Sequence, residues 1–84
     1  APQKSAITTG LEALRRVLEE ASAEPAAQFT IEVATPTKRA LKTNLASALA
    51  RTNERLGGGL TLIGTDAMKQ DTYVIRRGTD ASHD

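Results

Sequence analysis

The chain has 84 residues, 39% of them apolar and 25% charged, with a net charge of +1; that is enough for one domain with one core and too little for two. Phe29 and Tyr73 are the only aromatics, so the core is expected to be built from Leu, Ile, Val and Ala. Cysteine is absent, which excludes a disulfide scaffold, a thiolate metal site and a Cys nucleophile and fits a cytoplasmic protein; no apolar run approaches the ~18 residues of a membrane span.

Residues 1–8 are polar and are expected to be loose. The chain opens on Ala1 rather than Met, which reads as one domain of a larger protein. Thr9-Gly10-Leu11-Glu12 then has the form of a capping box, with Thr9 at the N-cap and Glu12 three residues on. Leu11, Leu14, Val17, Leu18 and Ala21 follow at helical spacing, while Glu12, Arg15, Arg16, Glu19 and Glu20 fill the other face. A first helix is predicted over about 10–23, ended by Pro25.

Gln28 to Ala34 alternates apolar and polar residues. Phe29, Ile31 and Val33 would point to the core and Thr30 and Glu32 away from it, as in a half-buried strand. Thr35-Pro36 restarts a helix, with Thr at the N-cap and Pro at the first helical position. A stripe of Leu41, Leu45, Ala48, Leu49, Thr52 and Leu56 runs to Gly57, which suits the left-handed residue after a helix. The second helix is predicted over 36–56. Leu60 to Ile63 is the next strand, 64–71 a polar loop, and Thr72 to Arg77 the last strand, paired with the one before it as an antiparallel hairpin.

The predicted order is α-β-α-β-β over a single α+β domain at 9–78, with flexible segments at 1–8 and 79–84. The strand-helix-strand unit implies a parallel pair joined by a right-handed crossover. Two helices would cover one face of a three-stranded sheet. The alternative is a winged helix, whose last two strands form the wing. It requires the second helix to break near Asn44 to Ser47, where neither Gly nor Pro stands.

Catalytic chemistry has little to work with. His83 is the only histidine and lies in the terminal tail, where nothing would hold a general base in place. The carboxylates of the first helix are spaced to pair with its arginines, as Glu12–Arg16 and Arg15–Glu19. Asp66 and Asp71 lack the dense oxygen ligands of a calcium loop. Gly57-Gly58-Gly59 follows a helix and opens a strand, the reverse of a phosphate loop; a cap and turn explain it, although the third glycine exceeds what a cap needs. The chain therefore reads as a binding module rather than an enzyme, with no cofactor, metal or small-molecule substrate implied.

The second helix is the candidate binding element. Residues 36–56 carry Lys38, Arg39, Lys42, Arg51 and Arg55 against Glu54, a balance of +4. Their outward face is small, with Thr43, Ala46, Ser47 and Ala50 bordered by cations. This pattern predicts contact with duplex DNA or structured RNA. Arg39, Lys42, Arg51 and Arg55 would meet phosphates, with Asn44 and Ser47 adding hydrogen bonds. Lys69 in the loop and Arg76 and Arg77 on the last strand would touch the backbone beside them. Scarce aromatics disfavour single strands bound by base stacking. The competing expectation is a protein interface, as a homodimer or against other domains of the parent protein. There Thr43, Ala46 and Ala50 would let a second chain approach closely.

Overall fold

The computed structural model describes residues 5–24 and 28–78. Residues 1–4, Pro25 and the 79–84 segment with His83 lie outside the described residues. Three helices and a three-stranded mixed sheet form an α+β fold. No helix among the described residues is long and apolar enough to cross a membrane.

Helix α1 (Ala6–Ala23) starts four residues earlier than the capping-box reading. Ser5 is the N-cap, and its hydroxyl accepts the Thr8 N–H at 3.1 Å. Thr9 and Gly10 are buried inside the helix, so no capping box forms there. The reason is packing. Gly10 gives the side chains of Leu41 and Leu45 room to approach the α1 backbone, and a cap at Thr9 would leave that face out of the helix.

Strand β1 (Gln28–Ala34) follows the alternation read from the sequence, with Phe29, Ile31 and Val33 buried. The predicted second helix is two helices, α2 (Thr35–Lys42) and α3 (Ala46–Arg55). Ala34 rather than Thr35 occupies the N-cap of α2. The Thr35 hydroxyl instead donates to Asp66 Oδ1 at 2.6 Å. The break covers residues 43–45. The Thr43 hydroxyl donates back to the Arg39 carbonyl at 2.8 Å, and the Leu45 N–H reaches the Ala40 carbonyl, five residues back, at 2.9 Å. Thr and Asn offer the backbone local alternatives to the helical ladder, and the wide turn that results is the form such interruptions take. The apolar stripe survives the break: Leu41 is buried, and Leu45, Ala48, Leu49 and Leu56 pack against the core.

Helix α3 ends in a Schellman motif. Gly57 and Gly58 have φ of 73° and 86°; the Gly58 N–H bonds the Asn53 carbonyl and the Gly57 N–H the Glu54 carbonyl. Strand β2 (Leu60–Thr65) runs parallel to β1, and β3 (Tyr73–Gly78) runs antiparallel to it. The sheet order is β2-β1-β3, so the last two strands do not form the predicted hairpin. Strand β1, whose core-facing side chains are the most enclosed, takes the centre. The connection from β2 to β3 crosses the end of β1 and is tied to the start of α2 by the Thr35–Asp66 bond and by the Thr37 hydroxyl on the Gln70 carbonyl at 3.3 Å. The same strand order rules out the winged helix. The helix breaks where that fold needs it, but β1 separates the strands that would make the wing.

The helices cover one face of the sheet. Ala13, Leu14 and Val17 of α1, Phe29, Ile31 and Val33 of β1, and Leu41 of α2 form the buried cluster. The other face carries Thr30, Glu32, Thr61, Ile63, Val74 and Arg76, with Ile63 and Val74 substantially exposed.

Candidate nucleic-acid interface

The nine sequence-predicted contact residues do not form one surface. Arg51 and Arg55 extend from α3 toward α1. With Arg15 they border a groove of about 320 Å³ floored by Leu11, Leu14, Leu18, Ala48 and Thr52. No carboxylate lines it, and among the described residues none of these three arginines forms an ion pair. Arg15 was expected to pair with Glu19, but Arg16 takes that carboxylate at 3.7 Å and Glu20 at 3.3 Å. Arg15 is thereby left available, and it is the residue of this groove that the sequence does not single out. Its signal was its place on the stripe-flanking side of α1, which pointed to α3 only once the packing of α1 on α3 was known.

Arg39 and Asn44 border a second groove, between the start of α1 and the α2–α3 turn. Lys42 borders a third, on the β2 side of α3, together with Ala46, Ala50 and Asn53. Ser47 is exposed on α3. Arg39 and Lys42 stand in the last turn of α2 and Arg55 in the last turn of α3, where the helix dipole itself favours cations. Arg15 and Arg51 have no such structural employment.

The strand residues are engaged elsewhere. Arg76 lies on the open face of the sheet, with its guanidinium on Glu32 Oε1 at 3.1 and 3.2 Å. Arg77 lies on the opposite face, near Glu20 at 3.6 Å and Glu24 at 3.8 Å, with its guanidinium 5.6 Å from the Phe29 ring centre. Neighbouring strand residues point to opposite faces, so these two arginines cannot share one contact. Lys69 is exposed and opens the turn that Thr72 closes onto its carbonyl. Phe29 is buried, and Tyr73 packs against the core from the helix side. Neither ring is presented on the open face of the sheet for stacking.

No protein-family model matches the chain, and no curated protein matches it.

Proposed function

We propose that this domain binds nucleic acid, gripping the phosphate backbone of duplex DNA or structured RNA between α1 and α3. The observation that carries this reading is the groove bordered by Arg15, Arg51 and Arg55 with no carboxylate in it. Guanidinium groups left without anions are matched to phosphate, which each can hold with two parallel hydrogen bonds. Arg39, Asn44 and Ser47 extend the polar surface around the α2–α3 turn. The module is a binder rather than an enzyme, and its grip is mainly electrostatic. Three phosphate contacts imply a logarithmic salt slope of about −3. Arg76 and Arg77 are held by carboxylates and take no direct part.

The test is titration of the isotope-labelled domain with a mixed-sequence duplex, followed by backbone amide shifts, at about 50 mM and about 200 mM salt. Shifts centred on residues 11–18 and 48–55 that shrink steeply with salt support the reading. The absence of shifts at low salt overturns it.

A further inference from the structure

Strand β2 is an edge of the sheet, and its outer side is open. The Phe29 N–H bonds the Gly59 carbonyl at 2.8 Å, and Phe29 pairs with Leu60 in the parallel register. In such a ladder alternate residues bond the neighbouring strand. Thr61, Ile63 and Thr65 therefore turn their backbone groups toward β1, while Leu60, Leu62 and Gly64 turn theirs outward. Asn53 Oδ1 accepts the Leu60 N–H at 3.1 Å. The Leu60 carbonyl and both backbone groups of Leu62 and Gly64 have no partner among the described residues. Edge strands are ordinarily guarded by charged residues or proline. Strand β3, the other edge, carries Arg76 and Arg77, whereas Leu60–Thr65 has neither a charge nor a proline. Beside the Asn53 bond, α3 and β2 are separated by a groove of about 630 Å³, walled by Ala46, Leu49 and Ala50 on one side and Leu60 and Leu62 on the other. Among the described residues Lys42 is its only charged lining residue. Lys38, one helical turn earlier, lays its stem across Gly64, with Cδ 2.8 Å from a Cβ placed on that glycine. Neither lysine forms an ion pair among the described residues.

We infer that the β2 edge takes up an extended, acidic peptide segment of another protein, which adds a fourth strand to the sheet and lays alternate side chains in the groove. The backbone row decides for a strand. Its donors and acceptors stand in one line on alternate residues, and the main chain of an added strand meets both. Phosphates accept hydrogen bonds and donate none, so a nucleic-acid backbone would leave the Leu60, Leu62 and Gly64 carbonyls unmet. The groove decides the side chains. Walls of alanine and leucine suit small or branched apolar residues, which an added strand presents at every second position. Its other residues lie beside Thr61 and the exposed Ile63 on the open face. Charge complementarity decides the sign: two lysines without a carboxylate beside them favour an acidic partner. Arg51 and Arg55 line a different groove, on the opposite flank of α3, so this inference does not depend on the nucleic-acid reading.

The test is titration of the isotope-labelled domain with the peptide Asp-Thr-Val-Thr-Val-Thr-Asp, capped at both ends. Its valines and aspartates share one face, and an acid at each end brings one to the lysines in either strand direction. The Leu62 and Gly64 amides are expected to shift and to exchange slowly, with a Kd of about 1 mM or tighter. The peptide is then N-methylated at both valines or, separately, at all three threonines. Only one edge of an added strand faces β2, so one of these forms should bind about tenfold more weakly, through lost backbone hydrogen bonds, and the other as well as the parent. Lysine in place of both aspartates should weaken binding, and Lys42→Glu should reverse that preference. Ala50→Arg, which fills the groove from an exposed position, should abolish binding in a domain whose circular dichroism is unchanged. Unmoved Leu62 and Gly64 amides overturn the inference. So does a peptide indifferent to both N-methylation patterns, or to the charge exchanges. A mass by light scattering already twice the 8.9 kDa of one chain without peptide, with those amides protected, would give the edge to a second copy and overturn it as well.

Discussion

Gly10 and Leu45 meet where α1 crosses the α2–α3 turn: a Cβ placed on Gly10 would lie 2.9 Å from Leu45 Cδ1 and 3.1 Å from Leu41 Cγ and Cδ2. Glycine inside a helix ordinarily costs about 1 kcal/mol relative to alanine, so Gly10→Ala would normally stabilise. Here the added methyl must push Leu41, which is fully buried, off its packing. Overpacking of this kind costs roughly 1–3 kcal/mol. Gly10→Ala is therefore expected to lower stability by about 1 kcal/mol and Gly10→Val by more, read from urea unfolding midpoints. A stabilised alanine variant would mean that the leucines give way freely.

The same contact explains where the sequence could and could not be read. The β1 strand, the apolar stripe from Leu41 to Leu56 and the glycine stop at Gly57 were legible because each depends on residues close in the chain. Thr9-Gly10 was misread because its local signal, a helix cap, competed with a contact some 30 residues away. The break at Thr43 and Asn44 was hidden for a related reason. The Leu41–Leu45–Leu49 spacing is continuous, and only the Leu45 bond to Ala40 shows that the backbone beneath it is not. Strand order was equally out of reach. Strands adjacent in sequence usually pair, whereas here β1 lies between β2 and β3, and the connection joining those two is tied to Thr35 and Thr37 far away in the chain. The candidate site was half legible. Arg51 and Arg55 stood out by local charge, whereas Arg15 needed the packing of α1 on α3.

The three consecutive glycines are expected to separate on substitution. Gly57 and Gly58 hold positive φ, a region that costs an L-residue about 1–2 kcal/mol. Gly59 is not in that region and serves through its carbonyl, which any residue supplies to the Phe29 N–H. Gly57→Ala and Gly58→Ala should each lower stability by about 1 kcal/mol, while Gly59→Ala should leave the thermal midpoint nearly unchanged. Equal losses at all three would show that the turn needs flexibility beyond the Schellman geometry.

Thr9 is fully buried and its hydroxyl has no hydrogen-bond partner among the described residues. A buried polar group left unpaired costs about 1–3 kcal/mol. Valine keeps the branched shape and removes the hydroxyl. Thr9→Val is expected to raise stability by about 1 kcal/mol in the same unfolding assay, and a loss would reveal a partner that Thr9 serves.

Arg15 and Arg77 make opposite predictions, although both are surface arginines. Arg77 is bound to Glu20, Glu24 and the face of Phe29, so its loss should be felt by the fold. Ion pairs and cation–π contacts at such partly exposed sites contribute up to about 1 kcal/mol each, and Arg77→Ala should cost about 1 kcal/mol of stability while leaving duplex affinity unchanged. Among the described residues Arg15 forms no ion pair. Arg15→Ala should leave the unfolding midpoint in place and reduce the steepness of the logarithmic salt dependence of duplex binding by about 0.9, the value of one phosphate contact. Arg51→Ala with Arg55→Ala should reduce it by about twice that. Fluorescence anisotropy across a salt series measures both slopes. If Arg77→Ala weakened binding as much as Arg15→Ala, the phosphate path would have to run along the end of β3 instead of the groove between α1 and α3.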